Sequence, residues 1–162
     1  MRITEMSPQE SRALLARLGY GRLACARENQ PYIVPIDFTY EEDCLYCFST
    51  LGRKIEWMRT NPQVCLQADE IRGRYTWQSV IVQGRYEELS ENAGRWQTLT
   101  HAMKLLSQRS LWWQAAYAAH QLRGPESDPS PVVFCVHIAE MTGHRAEPDP
   151  ADLAATPSQS KE

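Results

Sequence analysis

FSTLGRKIEWMRTNP, residues 48–62, decides how this chain is read. A β-type run ends in Ser49-Thr50, Gly52 breaks it, and a short helix begins with Arg53 and Lys54 in its first turn. Asn61-Pro62 then stops the helix. Cations sit poorly at a helix N-terminus, where the macrodipole favours negative charge. Two hydroxyls, unpaired N–H groups and two cations brought into one small volume suit an anion such as phosphate. Gly52 would let backbone approach such a ligand closely. The bland reading is a solvated basic turn in which Ser49 or Thr50 merely caps the helix.

Upstream, Ser7-Pro8-Gln9-Glu10 is a capping box with proline at the first helical position. Leu14, Leu15 and Leu18 form the apolar side of that helix, which Gly19 ends. YGRLACAR, YIVPIDFTY and CLYCFST follow, separated by turn residues at Glu28–Pro31 and Glu41–Asp43, and predict an antiparallel meander. Pro35 interrupts YIVPIDF and belongs at an edge, bulge or rim, leaving backbone groups nearby free for a planar heterocycle. A simple edge strand would explain it equally.

Downstream, QVCLQAD and TWQSVIVQGRYEEL predict two more strands, with Gly84 relieving the second. Trp77, Gln78 and Ser79 cluster at its start. A helical region is expected from Ser90 to about Leu122, broken near Ser107–Ser110. Trp96, Leu99, Met103 and Leu106 mark one apolar face; Trp112, Trp113, Ala116 and Tyr117 mark another. VVFCVHIAEMTG is the last strand. The expected organisation is one domain over residues 1–145 and a disordered Pro- and Ala-rich tail over 146–162. The fold class is mainly β with α additions, a six-stranded antiparallel barrel, closed or partly closed.

The 162 residues carry a net charge of -3, which gives no general reason to bind nucleic acid or a membrane surface. No signal peptide and no span of roughly 20 apolar residues is present, so a cytoplasmic protein is expected. The five cysteines suggest no disulfide framework. Cys44 and Cys47, three apart on a strand, point to opposite faces. His101, His120, His137 and His144 show no ligand spacing, so no metal site is expected.

Taken in order, GRLACARENQPYIVPIDFTY, LYCFSTLGRKIEWMRTNPQV and WQSVIVQGRYEEL resemble the pyridoxamine 5'-phosphate oxidase-like family, whose fold is the FMN-binding split barrel. VPI and WQSV are most similar to its nitroimidazole-resistance-like members. The resemblance implies FMN as cofactor, its phosphate held by Ser49, Thr50, Arg53 and Lys54. It sets the flavin ring along Val34, Pro35 and Ile36 and near Trp77, Gln78 and Ser79. It also implies a homodimer with the flavin sites at the interface, to which His144 or Arg145 could contribute. The family's oxidases proper carry arginine and lysine where Val34 and Thr39 stand, and their C-terminal tryptophan and arginine motif is not recognisable, so the vitamin B6 reaction is not expected. Phe48 stands where nitroimidazole-resistance-like proteins often have histidine.

The implied activity is an FMN-dependent oxidoreductase passing a hydride or electrons from a reduced nicotinamide or similar donor to a small acceptor, the flavin supplying the redox chemistry. The alternative is a non-catalytic barrel holding flavin, haem or deazaflavin, with His101, His120 or His137 as conceivable haem ligands. Trp112, Trp113 and Tyr117 would wall a substrate pocket or simply pack on the barrel or a partner.

Overall fold

The structure, a computed structural model, describes residues 1–90, 95–108, 131–150 and 152. Helix α1 (Pro8–Leu18) starts as its sequence requires: Ser7 accepts from the Glu10 N–H, and the Glu10 carboxylate accepts from the Ser7 N–H at 2.8 Å. Gly19 ends it at φ 65°, a left-handed conformation that costs glycine little. The chain then enters β2 (Tyr20–Arg27), β3 (Gln30–Glu41) and β4 (Cys44–Thr50) as the expected meander. Glu28 and Asn29, both at positive φ, make the first turn, the conformation that two-residue hairpins favour. Helix α2 (Arg53–Thr60), β5 (Gln63–Gly73), β6 (Thr76–Leu89), α3 (Trp96–Ser107) and β7 (Pro131–Glu147) complete the order.

With β1 (Arg2–Glu5) at its start, the sheet runs β1-β7-β4-β3-β2-β5-β6 and closes through β6–β7 pairing. Six strands, β2 to β7, therefore form the expected barrel. The seventh, β1 (Arg2–Glu5), pairs with the far end of β7, Arg2 opposite Glu147. It was not expected, because four mostly exposed residues carry no apolar alternation. The expected boundary after residue 145 also moves: Ala146 and Glu147 belong to β7. Asp149 and Asp152 beyond it hold the Met1 ammonium. Residues 151 and 153–162 of the expected tail lie outside the described residues.

Inside the barrel, Leu23, Phe38, Leu45, Leu66, Val80, Val82 and Phe134 are at most 1% exposed. α1 closes one end with Leu14 and Leu15, next to the start of β2. At the other end, Asn61 after α2 donates to the Ala26 carbonyl at 2.9 Å. Ile55 and Met58 of α2 are completely buried there, and each contributes about 1.5–3 kcal/mol by leaving water. Gly84 sits where β6 shifts register against β7. A Cβ on Gly84 would lie 2.5 Å from the His137 carbonyl oxygen, so only glycine fits this bulge without backbone movement.

α3 covers the outer face of β4 and β7, where Tyr46, Val133 and Cys135 pack with Ala102 and Leu106. The expected apolar face needs correction. Leu99, Ala102 and Leu106 face the sheet, whereas Trp96 and Met103 are exposed at 59% and 44%. α3 itself begins at Trp96; residues 91–94 of the expected helical region lie outside the described residues. Trp112, Trp113, Ala116 and Tyr117 fall in 109–130, outside the described residues.

Candidate functional site

β3 and β4 part company halfway along. Their pairing runs from Glu41↔Cys44 to Phe38↔Cys47 and stops there. Beyond that point β4 pairs only with β7, through Thr50↔Pro131, while β3 continues along β2 to Gln30↔Arg27. Continuing the lost register sets Ile36 level with Ser49 and Pro35 level with Thr50. Val34, Pro35 and Ile36 thus face Ser49 and Thr50 across a split in the barrel wall, and α2 begins at its edge. The first two groups of expected site residues flank this split, one on β3 and the other at the β4–α2 junction.

The prolines explain part of this. Pro31 and Pro35 share one alternation along β3 while the β2 ladder passes both. Antiparallel residues alternate between facing one neighbour and the other, so the missing N–H groups belong to the split side. Ile36 points into the core at 5% exposure, Val34 packs against that core, and Pro35 is exposed on the outside.

Ser49 does not cap α2. Its hydroxyl donates to the Thr50 carbonyl at 2.9 Å. The cap position is Gly52, in extended backbone, and no side chain accepts from the first turn. The bland reading of the two hydroxyls as caps is therefore excluded. A Cβ added at Gly52 would meet nothing within 4 Å, so space is open in front of the helix N-terminus. The N–H groups of that first turn are aimed at it.

Neither Arg53 nor Lys54 has a carboxylate partner among the described residues, whereas Arg2, Arg12, Arg17, Arg22, Arg59 and Arg145 each do. The Arg53 guanidinium lies 5.4 Å from the centre of the Tyr32 ring. Tyr32 in turn sits 5.6 Å from Trp57, so Tyr32 bridges β3 and α2 across the open end. Burial pushes the Lys54 ammonium below its ordinary value, and the neighbouring Cys25 and Cys47 thiols only partly offset this. A half-buried cation without a counter-charge is costly, and an anion bound there would remove that cost.

Tyr32 was missed in the sequence. The signal was its place on the same alternation as Val34 and Ile36.

The third expected group lies on β6. Trp77, Gln78 and Ser79 begin β6, with Gln78 opposite Arg145 and Ser79 opposite His144 on β7. Thr50 meets β7 at Pro131, near its other end. At about 3.3 Å per residue, roughly 40 Å of strand separates these points. Across the sheet the route is shorter: Ser79 lies opposite Asp69, Gln67 opposite Arg22 and Arg22 opposite Pro35, so about 15 Å of sheet leads from Ser79 to the β3 side of the split.

Ser79 belongs to a polar chain along that route. Arg22 donates to Asp69 at 2.6 Å and to Gln67 at 3.1 Å, and Gln67 donates to Ser79 at 3.1 Å. Arg145 is paired with Glu10 and borders a small cavity of about 190 Å³ with Trp77, Gln78 and Glu70.

The histidines are also placed. His101 on α3 bonds Glu41, His137 bonds Glu87, and His144 is exposed on β7. His120 lies outside the described residues.

A six-stranded barrel split between β3 and β4, with a basic helix start at the split, defines the class of antiparallel split barrels. The sequence pattern of the pyridoxamine 5'-phosphate oxidase family matches residues 7–145, and the chain belongs to that family. It is 40% identical over 146 residues to an uncharacterised protein of Rhizobium meliloti (strain 1021), covering 90% of this chain and 97% of that one. Among solved structures, an FAD-binding protein from Mesorhizobium loti is 40% identical with a TM-score of 0.75, covering 91% of this chain and 100% of that one. A 5-nitroimidazole antibiotic resistance protein from Bacteroides thetaiotaomicron shares the fold at 21% identity and a TM-score of 0.62, over 89% and 87% of the two chains.

Among the described residues no helix is long and apolar enough to cross a membrane.

Proposed function

We propose that this protein binds a flavin nucleotide in the split between β3 and the β4–α2 junction and uses it as a flavin-dependent oxidoreductase on a small acceptor. The observation that carries this reading is the pair Arg53 and Lys54, without carboxylate partners among the described residues, at an uncapped helix N-terminus facing an unpaired stretch of β3. Ser49, Thr50, Arg53 and Lys54 hold the phosphate. Val34, Pro35 and Ile36 line the ring, with free carbonyl and N–H groups of the β3 edge for its polar rim. When bound, the flavin supplies hydride or electron transfer; the chain supplies binding, orientation and a dry wall.

FMN is the proposed form, because two cations and two hydroxyls match one phosphate. The Mesorhizobium loti relative is an FAD-binding protein, which supports the flavin class; FAD contains the same riboflavin phosphate. The proposal includes a homodimer with the flavin sites at the interface, where the partner chain completes each site. A cytoplasmic site of action belongs to the same reading.

The test is purification without added cofactor, visible absorbance, and chromatography of whatever denaturation releases. Released FMN supports the proposal, and released FAD keeps the site but replaces the cofactor. A colourless protein that binds neither on addition overturns it. Catalysis is separated from mere storage by mixing the loaded protein with a reduced nicotinamide under anaerobic conditions. Bleaching of the flavin supports an oxidoreductase, and an unreactive flavin favours a carrier.

A further inference from the structure

A second group of chemically able side chains lies on the outer face of β4 and β7, beside α3 and away from the split. Cys44 stands directly opposite His137 in the β4–β7 ladder, and Cys135 is the diagonal neighbour on the same face. The Cys44 Sγ is 3.4 Å from the His137 Nδ1, and the ligand atoms of Cys44, Cys135 and His137 all lie within 4.8 Å of one another. Cys47, three residues from Cys44, points the other way and is completely buried in the barrel core.

The other ring nitrogen of His137, Nε2, bonds the Glu87 carboxylate, whose second oxygen pairs with Arg95. A carboxylate on one imidazole nitrogen holds the proton there and presents the opposite nitrogen as a lone pair. That lone pair faces the Cys44 sulfur.

We propose that Cys44, Cys135 and His137 form a binding site for a thiophilic divalent metal ion, zinc being the natural occupant, with Glu87 orienting the histidine. Two thiolates and an imidazole suit zinc. Zinc–sulfur bonds of about 2.3 Å and zinc–nitrogen bonds of about 2.0 Å in a tetrahedron require ligand atoms roughly 3.5–3.8 Å apart. The Cys44–His137 pair already has that spacing, and Cys135 has about 1 Å or less to close. Binding releases one proton from each thiol to solvent, and the thiolates neutralise the dication.

The fourth position opens outward on the side of His137, an exposed residue, and takes water or an external ligand. A disulfide between Cys44 and Cys135 is disfavoured: diagonal cross-strand Cα atoms are about 7–8 Å apart, beyond the usual disulfide range of about 4.4–6.8 Å.

Linear spacing could not show this site, because its ligands come from two strands that the chain pairs across more than half its length. It is independent of the flavin reading.

The test uses the full chain as purified, treated with chelator and reductant, then titrated with Co²⁺ as a spectroscopic stand-in and with Zn²⁺ as competitor. The expected result is one Co²⁺ per chain, with tetrahedral d–d bands in the red, where flavin does not absorb, and displacement by Zn²⁺. Cys44→Ser and His137→Gln, both at positions reached by solvent, abolish the bands while the fold is retained. Glu87→Gln weakens binding about 10- to 100-fold with band positions unchanged.

Absence of tetrahedral bands in the reduced wild-type chain overturns the proposal, as does binding unaffected by Cys44→Ser and His137→Gln. A Cys44–Cys135 disulfide found by mass spectrometry in the freshly purified chain also overturns it.

Discussion

Replacing Arg53 and Lys54 together by alanine discriminates between a phosphate clamp and a merely basic turn. Hydrogen bonds to charged groups contribute about 1.5–3 kcal/mol each. Arg53 is exposed and Lys54 half-buried, so solvent screening reduces the arginine toward about 1 kcal/mol or less, while Lys54 keeps more of its full value. Together they are worth roughly 2–4 kcal/mol toward FMN, a loss of about 30- to 700-fold in affinity at 1.4 kcal/mol per decade.

Riboflavin has the same ring and no phosphate, so its affinity should change by less than about threefold. The assay is quenching of flavin fluorescence by the apo-protein, with both ligands titrated against wild type and double variant. Unfolding is not a confounder, because neither cation has a carboxylate partner among the described residues. The Arg53 contact with Tyr32 is lost, about 0.5–1 kcal/mol at an exposed site, together with the packing of the half-buried Lys54 stem. Equal weakening of FMN and riboflavin would refute the reasoning, since the effect would then come from the shape of the split and not from charge on the ligand.

Other outcomes follow from the same structure. Lys54 titrates below its ordinary 10.5 in the folded chain because it is partly buried. Above that lowered value the unfolded chain holds the extra proton, so this group makes stability rise with pH up to about 10.5. Lys54→Met should flatten that alkaline limb of urea unfolding, and bound FMN should raise the Lys54 value measured by NMR. Glu10 is held down to about 2 by the Ser7 backbone N–H, the Ser7 hydroxyl and Arg145; its contribution is complete above about 4.5 and is lost as pH falls toward 2. Glu10→Gln should remove that part of the acid unfolding profile. Gly84→Ala drives a Cβ toward the His137 carbonyl oxygen at 2.5 Å and should cost about 1–3 kcal/mol, read as a lower urea midpoint. An unchanged midpoint would mean the bulge yields freely.

How much of this the sequence carried differs element by element. α1 was legible because its capping box and Gly19 are local devices that act without tertiary help. β2, β5 and β6 were legible because their buried positions alternate, and β3 and β4 because turn residues set off short β-type runs. β1 was not, because Arg2–Glu5 becomes a strand only by borrowing the edge of β7. The face of α3 was misjudged for a related reason. Trp96 and Met103 are as apolar as Leu99 and Leu106, and only the shape of the β4–β7 surface decides which are covered.

At the site, the residue types were legible and their distances were not. Ile36 and Ser49 lie on opposite sides of a split because a ladder ends at Phe38↔Cys47, which no local pattern announces. Ser79 and Pro35 stand far apart in the linear sequence, yet the β6–β5–β2–β3 ladder sets them three strands apart.

The donor-poor edge of β3 has a consequence for behaviour in concentrated solution. An unpaired strand edge is normally a template on which another chain can polymerise. Pro31 and Pro35 interrupt that template on the side where an incoming strand would need hydrogen-bond donors. A chain stripped of its small ligand should therefore stay dispersed instead of growing into fibres, leaving the opening accessible until a flat molecule of the right charge arrives.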